Sequence, residues 1–142
     1  MNEIQDTDVQ FIWDLALSSY RTDELNLPVD ETGILHLFNS SILLMNSDNQ
    51  INLTLNGESI TNEIDGQTID MKPFQKLMLS QYLVLSLLQN QLFYTQSEKD
   101  ILGRDFVARN VAAKIVSLTA QVQEQTLKIE RTKKNNMDGW EF

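Results

Sequence analysis

A chain of 142 residues is long enough for one self-supporting core, and its net charge of −9 argues against a generic nucleic-acid binder, which shows a basic face. It has no cysteine, so disulfide frameworks, thiolate metal sites and thiol catalysis are excluded together. The charge is also divided along the chain: residues 1–71 hold thirteen acidic side chains against Arg21 alone (net −12), and residues 72–142 hold ten basic against seven acidic (net +3). Such a split concerns surfaces and partners rather than fold.

The first ten residues, MNEIQDTDVQ, are acidic where an export signal needs a basic segment. A first helix is expected after Asp6-Thr7-Asp8, whose side chains suit the positive end of a helix. Val9, Ile12, Trp13, Ala16, Leu17 and Tyr20 then recur at helical spacing until Arg21-Thr22-Asp23. Pro28 restarts the chain. Asp30 and Glu31 precede Ile34, Leu35, Leu37, Phe38, Ile42, Leu43 and Met45, a second helix that ends in Asn46-Ser47-Asp48-Asn49.

The period then changes. Ile51, Leu53 and Leu55 alternate with Asn52 and Thr54, as in a half-buried strand. Asn56-Gly57 predicts a hairpin turn with those two residues at its centre, Ile60 and Ile64 lie in the returning strand, and Asp65-Gly66 marks a second turn. Residues 50–70 therefore read as a small hairpin or three-strand meander that must lie on the helices or pair with a neighbour.

Lys72-Pro73 opens a third helix, with proline where no amide donor is missed. Its apolar residues, from Leu77 through Leu79, Leu83 and Leu87 to Phe93, surround the whole cylinder, so it must be buried on all sides. Either the first two helices and the hairpin wrap it or neighbouring subunits do, and the latter is the expectation. The run Leu77 to Leu88 is interrupted by Ser80, Gln81 and Ser86 and is shorter than the roughly twenty residues of a bilayer span. The chain is expected to be soluble and intracellular at synthesis.

A fourth helix is expected from about Ser97, where Ser97 with Asp100, or Thr95 with Glu98, has capping-box spacing. Ile101, Ala108, Ile115, Val122 and Ile129 recur every seven residues, with Val111 and Leu118 at the second seam position and Arg104, Gln125 and Thr132 interrupting it. Phe106, Ala113, Ala120 and Leu127 form another stripe. A helix over 97–132 would run roughly 50 Å, too long for a compact domain of this size, with Gly103 as its weak point. Its end carries Lys128, Arg131, Lys133 and Lys134, suited to the negative helix terminus. The tail 135–142 is polar but ends on Trp140 and Phe142, which reads as a docking arm beyond a helical domain of residues 1–134.

No constellation for catalysis accompanies these elements. His36 has no second ligand or base in sequence reach; Asp23-Glu24 and Asp30-Glu31 sit where helix ends use them; Asn46, Asp48 and Gln50 lack the glycine and closing glutamate of a calcium loop. P-loop, nucleophile-elbow, HExxH and dinucleotide-glycine patterns do not occur. The chain is expected to be neither an enzyme nor a cofactor or metal carrier. A mainly α protein remains: four helices, the last one long, with a small β-hairpin between helices two and three.

An all-round apolar helix, a long heptad-bearing helix, an aromatic-tipped tail and an acidic N-terminal half suit a subunit that stacks sideways into a homo-oligomeric ring. In this order of elements the chain resembles the head–tail connector (adaptor) proteins of tailed bacteriophages: a short first helix, a second from about Val29, the apolar third from Pro73-Phe74-Gln75-Lys76-Leu77-Met78-Leu79 and a long fourth from Ser97. The resemblance implies a virion neck protein, made in the host cytoplasm, that contacts the portal and tail or collar proteins. DNA would pass its acidic channel without sequence-specific binding, and no membrane would be involved. It further implies portal docking by the tail, Trp140 and Phe142 with Met137, and by Lys133 and Lys134 of the basic helix end. Subunit packing is expected from the apolar residues of helices three and four, Leu79, Leu83, Leu87, Ile115, Val122 and Ile129. Two other readings stand beside it: a cytoplasmic helical regulator or assembly factor that dimerises through a C-terminal coiled coil, and an acidic DNA mimic.

Overall fold

Thr7 starts the first helix: its Oγ1 accepts from the Gln10 amide at 3.1 Å, which satisfies one of the amides that every helix start leaves open. The computed structural model describes residues 7–19, 31–49, 51–57, 59–102 and 105–135; for 19, 31, 97–102, 105–111 and 135 the backbone alone is described. Four helices result, α1 (Asp8–Ser19), α2 (Glu31–Asn49), α3 (Pro73–Leu102) and α4 (Asp105–Asn135). Between α2 and α3 lie three strands, β1 (Leu53–Asn56), β2 (Ser59–Ile64) and β3 (Gln67–Asp70), paired antiparallel in the order β1-β2-β3.

The sheet is a meander. Leu55 faces Ile60 and Asn56 faces Ser59, so the first turn is centred on residues 57 and 58, one position later than Asn56-Gly57 predicts. Gly57 takes the positive φ of 63° that the tight reversal needs. The second turn follows its sequence signal, with Asp65 at φ 53° and Gly66 at φ 80° between paired Ile64 and Gln67. Leu53, Ile60 and Asn62 turn inward and are buried, whereas all four residues of β3 are exposed.

The helices run up and down. Asp8 and Phe11 lie beside Lys76, so α1 starts at the α3 N-terminal end. α2 runs antiparallel to α3: Ser41 Oγ meets Ser86 Oγ at 3.0 Å, and further along α2 Asp48 meets Tyr82. α4 begins at Asp105, shortly after α3 ends at Leu102, and twenty residues on Gln125 lies against Gln81, twenty-one residues before that end, so α4 returns antiparallel. The sheet therefore sits at the end where α1 and α3 begin and α2 and α4 finish.

Two sequence expectations about α3 change. Its central leucines are covered by elements of the same chain, chiefly α1, α2 and α4: Leu79 and Leu83 are fully buried, and Val84, Leu85, Leu87 and Leu88 nearly so. Leu77 and Phe93, near its ends, are exposed, so the helix is not buried on all sides. Neighbouring subunits are not needed to bury Leu79, Leu83 or Leu87. The helix also continues through Ser97 to Leu102, so the fourth begins at Asp105. The cap-like residues lie inside a helix that runs on to Leu102, and Thr95 returns its hydroxyl to the Gln91 carbonyl at 2.8 Å, an interior use of threonine; Gly103, the expected weak point, lies outside the described residues. The single long helix expected from Ser97 becomes one arm of an antiparallel pair of 30 and 31 residues. Leu43, counted with the apolar face of α2, is 69% exposed.

Candidate functional site

The heptad of α4 is used within the chain. Leu118 and Ile129 are buried and Val122 packs against the core, so the seam that includes Ile115 faces α3. Two of the polar interruptions of that seam, Gln125 and Thr132, are paired across it, and Arg104 lies outside the described residues. Gln125 Nε2 donates to the Gln81 carbonyl at 3.0 Å, and Gln81 Nε2 donates to Thr132 Oγ1 at 3.2 Å. Buried amides with such partners fix which turn of α4 lies against which turn of α3.

The second stripe points the other way. Ala113 and Ala120 are exposed, Val116 is 70% exposed and Leu127 59%. This outward apolar line is legible from its seven-residue spacing; Val116 escapes that signal because it lies between the stripe's own positions. Of Phe106 only the backbone is described. A second exposed pair, Phe93 and Tyr94, meets edge to face on α3 with ring centroids 6.3 Å apart.

The cationic end of α4 borders a groove of about 830 Å3. Its lining includes the apolar Leu85, Leu127 and Ile129 and the cations Arg131, Lys133 and Lys134. Asp48 from the last turn of α2, Glu130 and Tyr82 complete the wall. The Tyr82 hydroxyl donates to Asp48 Oδ2 at 3.0 Å and accepts from Asn49 Nδ2 at 3.3 Å. Burial pushes the phenol up to about 12; the Asn49 hydrogen bond lowers it, and the nearby Asp48 carboxylate raises it further. Lys133 and Lys134 are thus brought to one surface, whereas Met137, Trp140 and Phe142, predicted to act with them, lie outside the described residues.

Two side chains tie the sheet to the helices at this end. Asn46 in α2 grips the outer edge of β1, accepting from the Leu53 amide at 2.9 Å and donating to the Leu53 carbonyl at 3.1 Å. It thereby does for β1 what a neighbouring strand would. Asp8 does the same for β2. The Glu63 amide points to Asn52 in the β1 direction, so by alternation the Ile60 amide points toward β3. The last β3 pair is Thr61 with Asp70, and beyond it Asp8 Oδ2 accepts from Ile60 at 3.0 Å. Asp8 Oδ1 lies 3.5 Å from Lys76 Nζ, which in turn lies 5.6 Å from the centre of the Phe11 ring.

Asn46 thus holds the sheet and Asp48 holds Tyr82. Among the described residues no group of three or more His, Cys, Asp or Glu is placed to hold a metal, and no helix is long and apolar enough to cross a membrane. His36 is exposed. These features define a mainly helical protein whose distinctive surfaces are apolar and charged patches. Residues 7–138 match the model of the YomZ prophage protein family, and the chain belongs to that family. No curated protein and no solved structure is matched.

Proposed function

We propose that the chain is a structural subunit of a phage particle, a ring-forming head–tail connector that joins the portal to tail or collar proteins. Membership of a prophage protein family supports the phage setting. The observation that carries the reading is the outer face of α4. Its inner seam is filled by α3, yet Val116 and Leu127 remain exposed in line with Ala113 and Ala120. A second copy that seats there would bury them by sideways stacking. Exposed Glu63, Asp65 and Asp70 on the sheet supply the acidic surface that a DNA channel would use to repel the phosphate backbone. In this reading the chain is not an enzyme, and Trp140 and Phe142 serve portal contact.

The competing coiled-coil regulator would dimerise through Ile115, Val122 and Ile129, but these residues already face α3. Dimerisation along that seam would require α3 to leave. Native mass spectrometry over a wide concentration range, with negative-stain imaging, tests the proposal. A closed ring that is lost in Val116→Asp while the helical content is kept is the expected result. A concentration-independent dimer that becomes monomeric in Ile115→Asp would refute it in favour of the coiled coil.

A further inference from the structure

We infer that the outer edge of β3 is a docking site for an extended, basic segment of another protein, which adds to the sheet as a fourth strand. Elsewhere the chain covers the open backbone groups of its sheet by itself. Asn46 occupies the outer edge of β1 at Leu53, and Asp8 takes the Ile60 amide beyond the end of β3. The outer edge of β3 differs. Among the described residues no further strand pairs with it, and Gln67, Thr68, Ile69 and Asp70 are all exposed.

The register fixes which groups that edge presents. Ile64 and Gln67 close a two-residue turn and Asn62 lies opposite Ile69, so Gln67 and Ile69 turn their backbone groups to β2. Alternation turns the amides and carbonyls of Thr68 and Asp70 outward. The side chains are ordered too. Leu53, Asn62 and Ile69 form one row on the face toward the helices. Leu53 and Asn62 are 3% and 2% exposed, whereas Ile69, at the edge, is 41% exposed. Thr68, opposite Glu63, and Asp70, opposite Thr61, stand on the other face.

An added antiparallel strand would form hydrogen-bonded pairs with Thr68 and Asp70 and place one residue between them, opposite Ile69, where side chains come closest. That residue is apolar, to cover Ile69. Its two neighbours stand beside Asp70 and Glu63, with Asp65 at the turn, all three exposed. Charge complementarity makes those neighbours lysine or arginine. Glu63 also accepts from Asn52 Nδ2 at 3.4 Å, which leaves its charge in place, and Lys72 is the one cation close in sequence. The segment recognised is therefore basic, apolar, basic in extended form. Main-chain hydrogen bonds hold the strand, and Ile69 and the carboxylates select its sequence. The inference stands apart from the ring reading: the stacking face there is α4, and a chain that never forms a ring can still dock the strand.

The test is amide hydrogen exchange by NMR on the full chain, with a synthetic peptide of alternating lysine and valine as the probe. At low salt, saturating peptide is expected to slow exchange of the Thr68 and Asp70 amides about tenfold, while those of Gln67 and Ile69, already turned to β2, change little. Methylating the lysine amides of the peptide, which face β3, is expected to abolish the effect; methylating its valine amides is expected to spare it. Asp70→Lys is expected to weaken peptide binding several-fold. A peptide of alternating glutamate and valine is expected to give no protection, and it decides the charge selection if Asp70→Lys disturbs the sheet. Absence of binding would overturn the inference, as would binding that leaves Thr68 and Asp70 exchanging freely. Protection that survives methylation of the lysine amides, or that the glutamate peptide matches, would do the same. Protection of Thr68 and Asp70 that grows with protein concentration in the absence of peptide would assign the edge to a second copy and overturn it equally.

Discussion

Replacing Asp8 with alanine strikes three interactions at one carboxylate, and their sizes can be worked from the structure. The Ile60 amide loses a hydrogen bond to a charged acceptor at 3.0 Å, worth about 1.5–3 kcal/mol, because no strand stands ready to replace it. The contact with Lys76 at 3.5 Å, between groups 28% and 27% exposed, adds about 0.5 kcal/mol after solvent screening. A carboxylate in the first turn of α1 adds about 0.5 kcal/mol more through the helix dipole. The terms share one side chain and do not simply add, so Asp8→Ala is expected to cost about 2–3 kcal/mol. Asp8→Asn keeps an acceptor for Ile60 and is expected to cost about 1 kcal/mol. In urea unfolding, with a slope of about 2 kcal/mol/M, the alanine variant shifts the midpoint down by about 1–1.5 M at unchanged slope. An alanine variant within about 0.5 kcal/mol of the parent would refute the reasoning. So would an asparagine variant as damaged as the alanine one, since the retained acceptor would then count for nothing.

Asn46→Ala removes both of the hydrogen bonds that hold Leu53, and is expected to cost about 2 kcal/mol and to raise amide exchange in β1 before that in α3, as hydrogen-exchange NMR would show. Gln125→Leu keeps the volume at the α3–α4 seam and releases a carbonyl that stays in the α3 ladder, so its stability should lie within about 0.5 kcal/mol of the parent. Gln125→Ala leaves a void and should lose about 1–2 kcal/mol in the same urea assay. The Tyr82 phenol rises from 10.0 to about 12 in the folded chain, so its stabilising contribution is complete below pH 10 and fades as pH climbs through 12. A shift of this size corresponds to about 2.7 kcal/mol at most; the hydroxyl borders the open groove, and about 1 kcal/mol is the expected effect. Unfolding free energies measured at both ends of that window should decline by about 1 kcal/mol less in Tyr82→Phe than in the parent.

Much of the fold is legible where local chemistry decides it. The Thr7 start of α1, the Pro73 start of α3, the alternation of Ile51, Leu53 and Leu55 and the Asp65-Gly66 turn are all signalled within a few residues and adopted as signalled. The α3–α4 boundary is misread because Thr95 and Ser97 look like caps, and a cap acts only where the preceding helix has ended. The all-round apolar surface of α3 gives no hint of what covers it, because the same pattern suits three helices of one chain or those of its neighbours. Sequence places Lys133 and Lys134 on a helix end and Leu127 on an outer stripe. It cannot bring them to Asp48 and Tyr82, which join them only through the pairing of α2 and α4 on α3. Asp8 and Asn46 read as a helix-start residue and part of a polar exit, yet each completes the hydrogen bonding of a strand.

The outer edge of β3 pairs with no further strand among the described residues, and its four residues, Gln67 to Asp70, are exposed with Ile69 among them. An open edge of this kind is a template on which sheets grow from one molecule to the next. Here it is short, and Asp70 closes it while Asp65 and Glu63 stand nearby. Two copies that approach edge to edge bring the same carboxylates together and repel each other. The acidity of the N-terminal half thus lets many copies accumulate side by side without their sheets fusing.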